Sequence, residues 1–254
     1  MLRLLPDRWY AGLFGPNAWL AKGAGTMTLA MPPSLRSSAS PPELLDALLQ
    51  ASPQRRRAAK LSVMLPSQSA RCISVPWSAG LRGEEELQAY ALAHFEQAGL
   101  GVLDGHAVHA EFRHYGAQGF AYAVSRQLLD ELHAVAMRHD LDLTTAMPIG
   151  GVAHLAARLA RGAGRELTLV AEDTAVGALV MDRNGLQRFD AEPAIGGQGA
   201  ALRRLLTRMG ADVIEYEGLT LCAEQNADEL AGIAGIYVAH AVKRANSSQW
   251  RSFL

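Results

Sequence analysis

Residues 166–208 run through three β-forming stretches and then a helix that opens on glycines: ELTLVAE, GALVMDRNG, LQRFDAEP and GGQGAALRRLLTR. The first two form a hairpin, LVAEDTAVGALVMDRNG over 169–185, that turns on a small acidic stretch. The same order occurs near the amino terminus. Residues 9–14 and 18–30 alternate and carry β-formers, with Gly15-Pro16-Asn17 between them and a third strand near 25–30. A helix-patterned stretch, ELLDALLQA, follows. Three short strands and a helix, written twice, constrain the chain to a pseudo-duplicated α/β architecture.

The intervening segments fill out each half. Ser40, with Glu43 three residues on, predicts a capping box and a helix start. KLSVMLP (60–66) and ARCISVPW (70–77) read as strands. Residues 83–99 predict a helix with three glutamates in its first turn, where the helix dipole favours them. Leu87, Tyr90, Ala91, His94, Phe95 and Ala98 make its inner face. Strands near 106–113 and 118–124 lead to a helix over 125–140, a strand ending at Pro148 and a helix from about 150 to 161. In the second half ADVIEYEG and LTLCAE read as strands. A final helix is expected over 226–245, capped by Asn226 with Glu229, and NSSQWRSFL as a loose tail. The halves meet near 144–164.

Of the 254 residues, 49% are hydrophobic and 19% charged, which supplies ample core and excludes a disordered chain. The net charge of −1 gives no general footprint for nucleic acid. The one dense basic run, Arg55-Arg56-Arg57 with Lys60, lacks interleaved aromatics and reads as a solvated loop. Cys72 and Cys222 stand far apart in apolar stretches and read as two buried free thiols, suited to a reducing cytoplasm. The amino-terminal MLRLLPDRWYAGL is too broken for a secretory signal, and the longest apolar run, 231–242, falls short of a membrane span. A cytoplasmic protein, peripheral to a membrane at most, is the expectation.

Several chemistries are missing. There is no GxSxG elbow, no GxxxxGK[ST] loop, and no GxGxxG after a strand. His106 and His109 have an odd offset, which in a strand places them on opposite faces and disfavours shared metal ligation. Gly196, Gly197 and Gly199 open a helix. They fit either an anion site at its free N–H groups or a tight turn that needs positive φ.

Taken together, these stretches resemble the PilM family of type IV pilus proteins and the related cytoplasmic domain of GspL in type II secretion, both of the actin-like superfamily. In the second half, strand, returning strand, Asn-Gly turn, third strand and Ile195-Gly196-Gly197 carry the likeness. In the first half, PWSAGLRGEEELQAYALAHFEQ and AYAVSRQLLDELHAVAMRHDLDLTTAMP do so. The resemblance implies an actin-like (ribonuclease H-like) duplicated fold, with two lobes of mixed sheet flanked by helices. The first lobe would span 1–146 with an accessory subdomain at about 60–124, and the second, trimmed, 147–254. It also implies a partner: in the family a short peptide of the membrane protein PilN docks in a groove between first-lobe subdomains, here around 106–124 and 83–99.

Two hairpins clasp the nucleotide phosphates and magnesium in an actin-like ATPase, and each needs an acid closely followed by glycine. Here the first hairpin, YAGLFGPNAWLAKGAG, has no acid in its turn, and Phe14 and Pro16 stand where small or polar residues are wanted. The second has Glu172-Asp173-Thr174-Ala175, with glycine only at Gly177. The expected Gly-Gly-x-Ala contact to adenosine near the carboxyl end is not evident. The expectation is therefore a non-catalytic scaffold without cofactor that binds an inner-membrane pilus or secretion component. Self-association is a second expectation, because LRLLPDR looks like the docking segment of PilN. The alternatives are a nucleotide-binding ATPase or sensor, with Glu172, Asp173, Thr174, Gly196 and Gly197 lining an ATP–Mg site, and a small-molecule kinase acting between the lobes.

Overall fold

The computed structural model describes residues 7–14, 17–23, 25–27, 39–52, 59–101, 103–157, 159–160, 163–210, 216–223, 225–237 and 242–254. The expectations placed on Arg55-Arg56-Arg57, on LRLLPDR before Asp7 and on most of ADVIEYEG fall outside them.

Alternating burial builds the first sheet. In β1 (Arg8–Gly12), Trp9 and Ala11 point inward, and β2 (Trp19–Lys22) and β3 (Gly25–Met27) continue an antiparallel meander. On the other side of β1, β4 (Ala59–Leu65) and β8 (Leu141–Pro148) add in parallel, giving the order β3-β2-β1-β4-β8. The connection from β3 to β4 carries α1 (Pro41–Ala51). Its Ser40–Glu43 capping box forms, with the Ser40 amide donating to the Glu43 carboxylate at 2.7 Å. α1 and α3 (Arg126–Arg138) cover one face. Leu44, Leu45, Leu48, Leu132 and Val135 meet Trp9, Leu61 and Val63 in a closed core.

The second sheet repeats the first. β9 (Glu166–Ala171), β10 (Ala175–Met181) and β11 (Leu186–Pro193) form the meander, and β12 (Gly218–Ala223) and β13 (Lys243–Ala245) add in parallel beyond β9. The order β11-β10-β9-β12-β13 is that of the first sheet, strand for strand. α5 (Gln198–Arg208) and α6 (Ala227–Ala234) cover it, with Leu202, Leu205, Leu206 and Leu230 in its core.

The copies differ in what joins their fourth and fifth strands. In the second lobe that connection carries α6. In the first it carries a separate three-stranded sheet, β5-β7-β6, from β5 (Ala70–Val75), β6 (His106–Glu111) and β7 (Gly119–Ser125). α2 (Glu84–Gln97) packs on one face of it through Ala91 and Phe95, which meet Val75, Ala121 and Ala123. The strand at 60–66 is β4 of the main sheet, so this small subdomain begins at Ala70. α4 (Ile149–Ala156) then links β8 to β9.

Four local expectations need correction. The helix from 150 closes at Ala156 instead of 161. The final helix stops at Ala234, and Lys243–Ala245 is not helical but the fifth strand, paired with Thr220–Cys222. The second lobe therefore has the full five strands. Asn226 does not cap α6 through its side chain. It adopts a left-handed conformation, and its side-chain Nδ2 donates to Gln198 Oε1 at 2.9 Å. The carboxyl-terminal residues are not a loose tail but a 3₁₀ helix, Ser247–Phe253, with Trp250 buried.

Candidate functional site

Phe14, just after β1, and Glu172, just after β9, both face the junction between the lobes. In the first turn, the space over Gly12 is taken. A Cβ there would overlap the Trp19 indole nitrogen and the Phe14 ring. The Trp19 Nε1–H donates to Ser247 Oγ at 2.8 Å, and both residues are buried. Ser247 opens the 3₁₀ helix after β13, three residues ahead of the buried Trp250.

Phe14 and Trp19 extend into an apolar cluster drawn from both lobes. Met64 of β4, Phe120 of β7, Val152 of α4, Val170 of β9, Leu179 and Met181 of β10, and Trp250 complete its centre. Phe120 stands edge-on to Phe189 of β11, with centroids 5.2 Å apart. Such a cluster excludes water by the same close packing that fills each lobe.

In the second turn, Glu172 is spent on the opposite lobe. The Ser67 amide donates to Oε2 at 2.9 Å and more weakly to Oε1 at 3.2 Å, and the Ser67 hydroxyl donates to Oε1. Loss of water drives the Glu172 carboxyl up to about 7. The bonds from Ser67 oppose that shift, and the neighbouring Asp173 adds to it. The same carboxylate, after burial itself, raises the half-buried Cys72 thiol on β5. Cys222 is fully buried, and neither cysteine is in a disulfide.

Asp173 and Thr174 are exposed. The Thr174 carbonyl accepts the Ala194 amide at 2.9 Å, which ties this turn to the segment just before Gly196. Gly196 (φ 80°) and Gly197 (φ 95°) are exposed and stand clear of neighbouring backbone, so left-handed φ is what they supply. The close approach falls instead on Gly199, where a Cβ would overlap Glu229 of α6. Of the five residues expected to line an ATP–Mg site, Glu172, Thr174 and the Gly196-Gly197 turn are linked through backbone, while Glu172 alone enters the junction.

A second buried polar cluster was not evident in the sequence. His154 on α4 has no exposure, stacks on Phe120 at 5.3 Å, and has its Nε2 3.6 Å from Glu111 Oε1. Neither ring nitrogen meets a hydrogen-bond partner among the described residues. Burial lowers its pKa to about 3, and the charges of Arg113 and His114 add to that shift, so the ring is neutral. Burial also raises the Glu111 carboxyl. Among the described residues no three His, Cys, Asp or Glu side chains are grouped to hold a metal ion, and no helix is long and apolar enough to cross a membrane.

No protein-family model matches the chain, and no curated protein matches its sequence. Solved structures do match its shape. A protein of unknown function with an actin-like ATPase fold from Bacteroides thetaiotaomicron superposes with a TM-score of 0.63 at 11% identity, over 94% of this chain and 90% of that one. The PilM–PilN type IV pilus biogenesis complex gives 0.59 at 13% identity, over 96% and 94%. The cytoplasmic domain of EpsL, an inner membrane component of the type II secretion system of Vibrio cholerae, gives 0.50 at 12% identity, over 91% and 95%. The chain has the actin-like ATPase fold.

Proposed function

We propose that this protein is a non-catalytic actin-like scaffold that binds an inner-membrane component of a type IV pilus or type II secretion-like machine. The observation that carries the first half of this reading is the filled junction. Trp19 and Phe14 cover Gly12, and Glu172 is bonded to Ser67 where a phosphate-clasping hairpin needs open backbone and a free acid. A triphosphate there would have to displace aromatic side chains and add charge beside Glu172 and Asp173. ATP and magnesium are therefore not part of the proposed function, nor is a kinase reaction between the lobes.

The second half rests on the shared fold of a PilM–PilN complex and of an inner membrane secretion component's cytoplasmic domain. Two edge strands support it. β6 ends the small sheet and β8 ends the first main sheet, so each has a side without a strand partner among the described residues. An extended segment of a membrane protein can pair with such an edge without any reactive residue. Immobilised protein incubated with a detergent-solubilised inner-membrane fraction is expected to retain a pilus or secretion component with a short cytoplasmic segment. Retention of no such component removes the partner half of the proposal.

A further inference from the structure

The bond between Glu172 and Ser67 joins the two lobes directly. Ser67 follows β4 of the first sheet, and Glu172 follows β9 of the second. One residue offers two donors, an amide and a hydroxyl, and one carboxylate accepts both. A carboxylate engaged by two donors fixes orientation as well as distance. The charged and titratable groups that face it are Asp173, next in the chain, and the Cys72 thiol on β5. Among the described residues no lysine or arginine pairs with it, so the serine is its main partner across the junction.

Phe14, Trp19, Phe120 and Leu179, drawn from both lobes, are buried together in the junction cluster. Contacts of this kind are non-directional and resist sliding weakly. Other directional bonds also cross the junction, from Trp19 Nε1 to Ser247 Oγ at 2.8 Å and from the Gln118 amide to the Leu186 carbonyl at 3.1 Å, and the pair from Ser67 is the one that ends on a carboxylate. We propose that Glu172 and Ser67 form a latch that holds the lobes closed, and that its release lets them part and uncovers the apolar junction. This goes beyond the scaffold reading and does not depend on it, because it concerns the motion of the lobes with no ligand or partner present.

Hydrogen exchange on the intact chain tests it, with Glu172→Ala, Glu172→Gln and Ser67→Ala beside the wild type. The Ser67 amide reports the latch itself. Residues 17–21 and 149–153 report the junction, and 201–206 of α5 report the interior of the second lobe. Glu172→Ala is expected to speed exchange at the latch and junction at least tenfold and to leave the second-lobe interior at its wild-type rate. Glu172→Gln keeps a carbonyl oxygen for the Ser67 amide and is expected to stay within about twofold of wild type. Ser67→Ala removes one of the two donors and is expected to move the same segments by a smaller factor. Wild-type junction rates in both alanine variants overturn the latch. So does a uniform rise that includes the second-lobe interior, since Glu172 would then be supporting its own lobe.

Discussion

A carboxyl group whose surroundings raise its pKa makes stability depend on pH in a fixed direction. Glu172 titrates at about 7 in the folded chain, against an ordinary value of 4.5. Between these values the folded state holds a proton that the unfolded state has released. The contribution is therefore complete below pH 4.5 and is lost as pH rises through 7, for a total of roughly 3 kcal/mol. His154 has the opposite sense. Its folded value of about 3 lies below the ordinary 6.5, so its contribution is present above pH 6.5 and fades as pH falls toward 3. Denaturant titrations of wild type and Glu172→Gln from pH 4.5 to 8 separate the two, since His154 is common to both. The wild type is expected to lose stability relative to the glutamine variant across that range, and a difference that does not change with pH contradicts it. Gly12 gives a steric counterpart. Gly12→Ala puts a methyl group against the Trp19 indole and is expected to lower stability by about 1–3 kcal/mol in urea unfolding. At this scale the sequence was half legible. The acid at 172 and the bulk at Phe14 could be read from the turn, but Ser67 lies 105 positions from Glu172 and carries no local sign of its role.

Whole elements were more legible than single contacts, because periodicity over ten residues averages out individual choices. α2, α3 and α5 fall where apolar spacing puts them, and the meander of β9, β10 and β11 follows its turn residues. The carboxyl end escaped that reading. Helical spacing continues beyond Ala234, and Lys-Arg-Ala has little preference for strand, yet these residues complete the second sheet because β12 offers an open parallel edge. The same docking explains the last residues. Trp250 enters the junction between the lobes and Trp19 bonds to Ser247, so a polar, short segment becomes ordered by tertiary contact alone. Trp250→Ala is expected to cost about 3–5 kcal/mol and to make the segment after β13 the first site of limited proteolysis. A segment cleaved as readily in the wild type as in the variant contradicts its packing.

At the scale of the molecule, duplication was readable and the state of the junction was not. The repeated order of strands and helices is written twice along the chain, and two sheets of identical strand order result. Which side chains meet between those sheets depends on residues from six or more elements, and no local pattern announces that Phe14, Phe120, Leu179 and Trp250 converge. That convergence fills the space between the two meanders with the protein's own side chains, and it supports the proposed scaffold function. Thermal unfolding with increasing Mg-ATP tests that occupancy most directly. A ligand held by the folded state at 100 times its dissociation constant adds about 2.7 kcal/mol, which moves a melting temperature by several degrees at most chain lengths. No shift up to millimolar Mg-ATP is the result predicted for a filled junction. A saturable rise that disappears on substitution of Glu172 or Asp173 contradicts it.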